Sequence, residues 1–154
     1  MPDVLIAGIG NIFFGDDGFG VEVARRLGAA PPPGARVADF GIRALHLAYE
    51  LLAAPDLCIV IDCTSRGEAP GTLYVIEPDP ADAAPATTDG HGLSLPLVFA
   101  TVRQLGGHPP ATLVVGCEPA TIAPGIGLSA HVAGAIPAAI AIVHRLVRSR
   151  EVPP

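Results

Sequence analysis

Five residues in this 154-residue chain stand out for the chemistry they could do. Asp16 and Asp17 stand side by side in "GIGNIFFGDDGFG" (8–20), Asp62 ends the apolar run "CIVID", Asp39 closes "RVAD", and His91 sits in "TDGHGLSL". Adjacent carboxylates repel phosphate and attract cations. Two carboxylates crowded at one rim require either a cation or a shared proton. Adding one imidazole gives a frequent catalytic-metal set, so Asp17, Asp62 and His91 are read as one candidate metal site.

Each residue also has a plainer reading. An Asp at a helix N-cap accepts a backbone N–H bond and complements the macrodipole, worth roughly 0.5–2 kcal/mol. One aspartate suffices for that, so Asp16 is assigned the cap and the fixing of the loop, and Asp17 is left to project. A strand-ending Asp such as Asp62 often satisfies the first turn of a loop. Among the five histidines, His46 and His144 fall inside helical patterns, His108 lies in a "GGHPP" turn, and His131 opens the last helix. His91, between glycines that permit close backbone approach, is the best placed.

The opening loop invites a second interpretation. Gly8 and Gly10 fit the start of a G-x-G-x-x-G dinucleotide fingerprint, and Asp39 lies about where the ribose-binding acid belongs. The third glycine position is Phe13, however, and the aspartates arrive where a pyrophosphate would meet the helix N-terminus. Gly8, Gly10 and Asn11 are therefore read as shaping a loop for a cation.

These residues must be positioned by alternating elements. Apolar runs predict strands at Val4–Gly8, Arg36–Phe40, Leu57–Asp62, Thr72–Glu77 and Thr112–Gly116. Runs such as "LCIVID" suit strands buried on both faces. Helices are expected near Gly18–Leu27, Ala44–Ala53, Leu95–Leu105 (Ser94 as N-cap, Gly106-Gly107 as stop) and Ala130–Arg148, the last kinked at Pro137. The pattern predicts one α/β domain over residues 1–154, a three-layer α/β/α sandwich with a mixed, mainly parallel twisted sheet of about five strands. Only "CTSRGEAPG" separates the third and fourth strands, too short for a parallel crossover, so those two are expected to pair antiparallel. In such folds ligands gather at the C-terminal edge of the parallel strands, which is where Asp39, Asp62 and the opening loop lie.

Composition narrows the function. The net charge is −6, every cation is Arg, and no basic patch marks a nucleic-acid surface. Three cysteines without a CxxC make disulfides and structural zinc poor expectations. The most hydrophobic segment, residues 132–147, reads as too short and interrupted for a membrane span. With no signal-peptide pattern at the N-terminus, a cytoplasmic location is expected.

At this point the chain resembles the hydrogenase maturation proteases, the endopeptidases that trim the large subunit of nickel-iron hydrogenases. The resemblance runs through "VLIAGIGNIFFGDDGFGVEVARRL", "DFGIRALHLAYELL", "IVIDCTSRGEAPGTLYVIEP" and "GCEPATIAPGIGLSAHV", with "GHGLSL" where that family carries a His before a helix. It implies that the family's loop carboxylate, Glu in some members, falls on Asp17, its strand-three aspartate on Asp62 and its histidine on His91. Asp39 matches an acidic position tied to substrate recognition, although Asp39-Phe40-Gly41 replaces the Asp-Gly-Gly of some members. It further implies that nickel is carried by the substrate rather than held tightly by the protein. The partner would then be a nickel-iron hydrogenase large-subunit precursor, losing a C-terminal extension after nickel insertion. A non-proteolytic escort or metallochaperone would use the same residues, and a nucleotide oxidoreductase is a third option. Specificity is expected in residues 40–50 and 78–90.

Overall fold

The computed structural model describes residues 3–79 and 93–151. Strand β1 (Val4–Ile9) leads through a 3-10 turn (Gly15–Gly18) into α1 (Phe19–Ala29). Then follow β2 (Ala35–Gly41), α2 (Ala44–Leu52), β3 (Leu57–Cys63), β4 (Leu73–Ile76), α3 (Leu95–Gln104), β5 (Thr112–Cys117) and α4 (Ala130–Glu151). Ser94 caps α3 by accepting a hydrogen bond from the Leu97 N–H, and Gly106 (φ +92°) follows its end.

Five strands form one sheet in the order β2-β1-β3-β5-β4, all parallel except β4. Alternate residues of the central strands feed two cores. Val4, Ile6, Ile59, Ile61 and Val115 pack with Phe19, Val23 and Leu27 of α1 and Val132, Ile136 and Val143 of α4. Leu5, Ala7, Cys58 and Val60 pack with Leu47 and Leu51 of α2 and Val98, Phe99 and Val102 of α3. Both sheet faces are covered, which gives the three-layer sandwich and explains why these strands read as unbroken apolar runs.

One pairing differs from the sequence reading. β4 runs antiparallel, but its neighbour is β5, not β3. β5 lies between them, in parallel register with β3 from Cys58↔Thr112 to Cys63↔Cys117. The short β3–β4 connection fixes the direction of β4 without fixing its neighbour. Central β5 has Val115 and Cys117 fully buried, whereas β4 keeps Val75 about half exposed, as an edge strand can. Helix α4 is also longer than the segment considered from sequence. Length and composition would let it cross a membrane, but its stripe of Val132, Ile136, Val143 and Val147 is buried in the core.

Helix α1 approaches the sheet at the closest distance a backbone allows. A Cβ at Gly20 would collide with the carbonyl oxygens of Ile61 and Ile9, and one at Gly8 with the carbonyl of Gly20. The glycine that permits tight helix-on-strand contact is therefore Gly20, seven residues beyond the Phe13 position of the dinucleotide pattern. Its effect is to hold the start of α1 directly over β1 and β3.

Candidate functional site

The sheet order changes direction at β1. From β1 the chain moves outward to β2 on one side, then returns to place β3 on the other. At such a switch point the loops diverge and leave a crevice outside the C-terminal strand ends. Asp17, in the turn after β1, and Asp62, near the end of β3, both stand at this end of the sheet.

The opening loop is folded back on itself. Gly10 adopts φ +129°, and a Cβ there would strike the Asp17 carbonyl oxygen. The Asn11 N–H donates to Asp17 Oδ2 at 2.8 Å, and the Phe13 N–H donates to Asn11 Oδ1 at 2.9 Å. Asp17 is half-buried and held at a fixed point of the loop.

Asp62 accepts the Cys63 N–H at 2.7 Å. Burial pushes its carboxyl well above the usual range, and the Asp17 charge pushes it further, outweighing that hydrogen bond. The Asp17 carboxylate thus lies close enough to disfavour ionisation of Asp62. That is the electrostatic condition a cation relieves. Among the described residues no three His, Cys, Asp or Glu side chains converge as a metal-binding group. His46, His108, His131 and His144 therefore complete no such set. His91, the third ligand expected from sequence, lies outside the described residues.

Asp16 does something other than capping. The N-cap of α1 is Gly18, with no side-chain cap hydrogen bond. The Asp16 carboxylate is instead fully buried and accepts the N–H groups of Ala120 (2.8 Å), Thr121 (3.1 Å) and Ser129 (2.7 Å), plus the Ser129 hydroxyl (2.8 Å). Burial alone would raise its pKa, but these four bonds together hold it below the ordinary carboxylate value. Backbone bonds Gly15 N–H to Gly125 O, Asp16 N–H to Thr121 O and Gly125 N–H to Phe13 O join the same two loops. Asp16 thus fastens the opening loop to the segment after β5, and so fixes its neighbour Asp17.

Glu118 is an acidic residue that sequence reasoning missed. It follows "VVGC" at the end of β5 just as Asp62 follows "CIVI" in β3, and that parallel was the available signal. The Glu118 carboxylate is buried and accepts the Tyr74 hydroxyl (2.6 Å) and the N–H groups of Arg66 (2.8 Å) and Glu68 (3.2 Å). It thereby shapes the loop that leaves Asp62. The Tyr74 hydrogen bond, outweighing burial, lowers the Glu118 pKa, while burial and Glu118 push Tyr74 up to about 12. A depressed carboxyl stabilises the fold above its unfolded value, here 4.5, and loses that contribution as pH falls through its folded value. Melting temperature should accordingly drop on acidification below about pH 4.5. Glu118→Gln should lower it at neutral pH and flatten the acid limb, as thermal melts across a pH series would show.

Asp39 is exposed and borders a cavity of about 220 Å³ with Gly10, Asn11, Phe13 and Ile42. Its Oδ1 accepts the Gly41 N–H at 2.9 Å, so the loop after β2 turns around it. Cys63, on the strand parity opposite to Asp62, is half-buried, and Cys58 and Cys117 are buried free thiols.

A three-layer α/β domain with paired carboxylates at its switch point belongs to the class that binds and transforms ligands at the sheet's C-terminal rim. The chain is a member of the hydrogenase maturation protease family, a peptidase family whose model, HycI, matches residues 21–146. It is 32% identical over 153 residues to the hydrogenase expression/formation protein HupD of Rhizobium leguminosarum bv. viciae, covering 96% of this chain and 75% of that one. Against HupD of Rhodobacter capsulatus the identity is 34% over 151 residues, with 95% and 71% covered. Its fold superposes on the hydrogenase maturating endopeptidase HybD from E. coli with a TM-score of 0.80 and 26% identity, covering 96% of this chain and 93% of that one.

Proposed function

We propose that this protein is the endopeptidase that removes the C-terminal extension of a nickel-iron hydrogenase large-subunit precursor once nickel has been inserted. The observation that carries the reading is the placement of Asp17 and Asp62 at the same end of β1 and β3, where the Asp17 charge adds to burial in disfavouring ionisation of Asp62. Nickel arrives as part of the substrate. Two carboxylates, completed by His91, would contact it and leave positions for the precursor's own ligands and for water. The metal would polarise the scissile carbonyl and activate water. One of the two carboxylates would also accept a proton from that water. Asp39, at the rim of the neighbouring cavity, would contact the precursor. The exposed Ile42, Leu45 and Tyr49 of the 40–50 segment would contribute to its selection. The setting in this reading is the cytoplasm, with neither nucleic acid nor membrane as partner.

An escort that binds the precursor without cutting it would use the same residues, so mass decides between them. Incubating the purified chain with nickel-loaded precursor should shorten the precursor by a single C-terminal fragment, read by intact-mass spectrometry. A stable complex with unchanged precursor mass would instead establish the escort.

A further inference from the structure

A second cavity has neither Asp17 nor Asp62 in its walls. It encloses about 440 Å³ between the opening loop, α1 and the segment entering α4. Its walls are apolar, including Ile12, Val21, Ile126 and Leu128. Ile126 is 77% and Ile12 43% exposed, an unusual outlay of aliphatic surface for side chains with nothing to cover. Ile12 and Val21 also line the smaller cavity beside Asn11 and Asp39. The two cavities therefore adjoin at Ile12 and Val21, and the groove formed by the larger one runs beside the loop that carries Asp17.

The far end of this groove is cationic. Arg25 and Arg26 both line it, and both are bonded to the same carboxylate, Glu22, at 2.6 Å and 3.2 Å. Two guanidiniums sharing one carboxylate leave a net positive charge, in a chain whose overall charge is −6. Arginine pairs of this kind suit carboxylate recognition. From Gly18 to Arg25 the helix rises about 10 Å, the span of roughly three or four extended residues.

We infer that the groove receives the precursor's C-terminal extension, apolar side chains lying along Ile12, Val21 and Ile126 and a carboxylate meeting Arg25 and Arg26. Measured from Gly18, beside Asp17, that carboxylate lies roughly three or four extended residues along the groove, and is either the chain terminus or an Asp or Glu side chain. This deepens the proposed function and rests on it, since it assigns the leaving side of the cut to this face.

The test separates binding from cleavage. The probe is a synthetic peptide of the extension, labelled at its N-terminus and titrated with the full chain by fluorescence anisotropy. Wild type should bind it, while Arg25→Glu/Arg26→Glu should weaken binding about tenfold or more. Ile126→Asp should weaken it independently, and Arg25→Lys/Arg26→Lys should restore most of it, with all variants melting close to wild type. Amidating the peptide's C-terminus weakens binding if the terminus is the partner. Changing its acidic side chain to the amide does so if that is the partner. No binding by wild type, or equal affinity for wild type, the charge reversal and Ile126→Asp, overturns the inference. So does a concentration-dependent dimer abolished by these substitutions without any effect on the peptide, which would give the groove to a second copy of this chain. Cleavage of full-length precursor, followed in parallel, reads the proposed function separately. Normal cutting by the charge-reversed variant leaves the protease standing and removes the groove, whereas peptide binding without cutting does the reverse.

Discussion

Asp62→Asn should abolish precursor cleavage and at the same time make the protein harder to melt. The two effects share one cause. Burial and the Asp17 charge raise the Asp62 carboxyl well above its usual value, so ionising it in the folded chain is unfavourable. The sign follows from linkage. A carboxyl whose folded pKa exceeds its unfolded one costs stability above the unfolded value, here 3.8, and costs most once pH passes the folded value. Asparagine has nearly the same shape and no charge to suppress. Its gain should appear at neutral pH as a rise of a few degrees in melting temperature and vanish in acid. Cleavage should fall about 100-fold or more, the range that loss of a proton-accepting group commonly produces. A variant that melts higher but still cuts would show that Asp62 is a strained residue without a catalytic task.

Asp16→Ala should have the opposite signature, losing stability and activity together. Removing this buried carboxylate takes the shared acceptor from the N–H groups of Ala120, Thr121 and Ser129, whose bonds to it are part-buried. Lost bonds to a charged acceptor and unsatisfied donors together cost about 3–5 kcal/mol, a melting-temperature drop of roughly 10 °C for a chain of this size. Because Asp16 also holds the loop bearing Asp17, cleavage measured below the melting range should fall too. Asp16→Asn should lie between wild type and alanine, since an amide keeps one acceptor but points a donor at donors. A near-normal melt for Asp16→Ala would mean that the segment after β5 is held by its backbone contacts alone.

These two neighbours show where sequence is readable and where it is not. Strands buried on both faces declare themselves as apolar runs, so β1, β3 and β5 were legible to within a residue or two. The helices were legible from their apolar spacing and end signals, Ser94 above all. The acidic rim was legible because Asp39 and Asp62 stand near the ends of apolar runs. What Asp16 does was not, because its partners lie more than 100 positions away, and local chemistry suggested the nearer task of capping. The neighbour of β4 was hidden for a similar reason. A short connection dictates direction, but adjacency depends on β5, which is made later and takes the inner, more completely buried place beside β3. Gly20 and Glu118 also passed unnoticed, one because close approach leaves no local mark, the other because its buried bonds lie on a loop some fifty residues earlier.

The proposed function gives Asp17 and Asp62 the task of contacting a metal that the substrate brings. The most direct measurement is the intact mass of a large-subunit precursor, nickel-loaded and nickel-free, after incubation with equal amounts of the chain. The pairing of Asp17 with Asp62 predicts loss of the C-terminal fragment from the nickel-loaded form alone. Equal cleavage of both forms would contradict it.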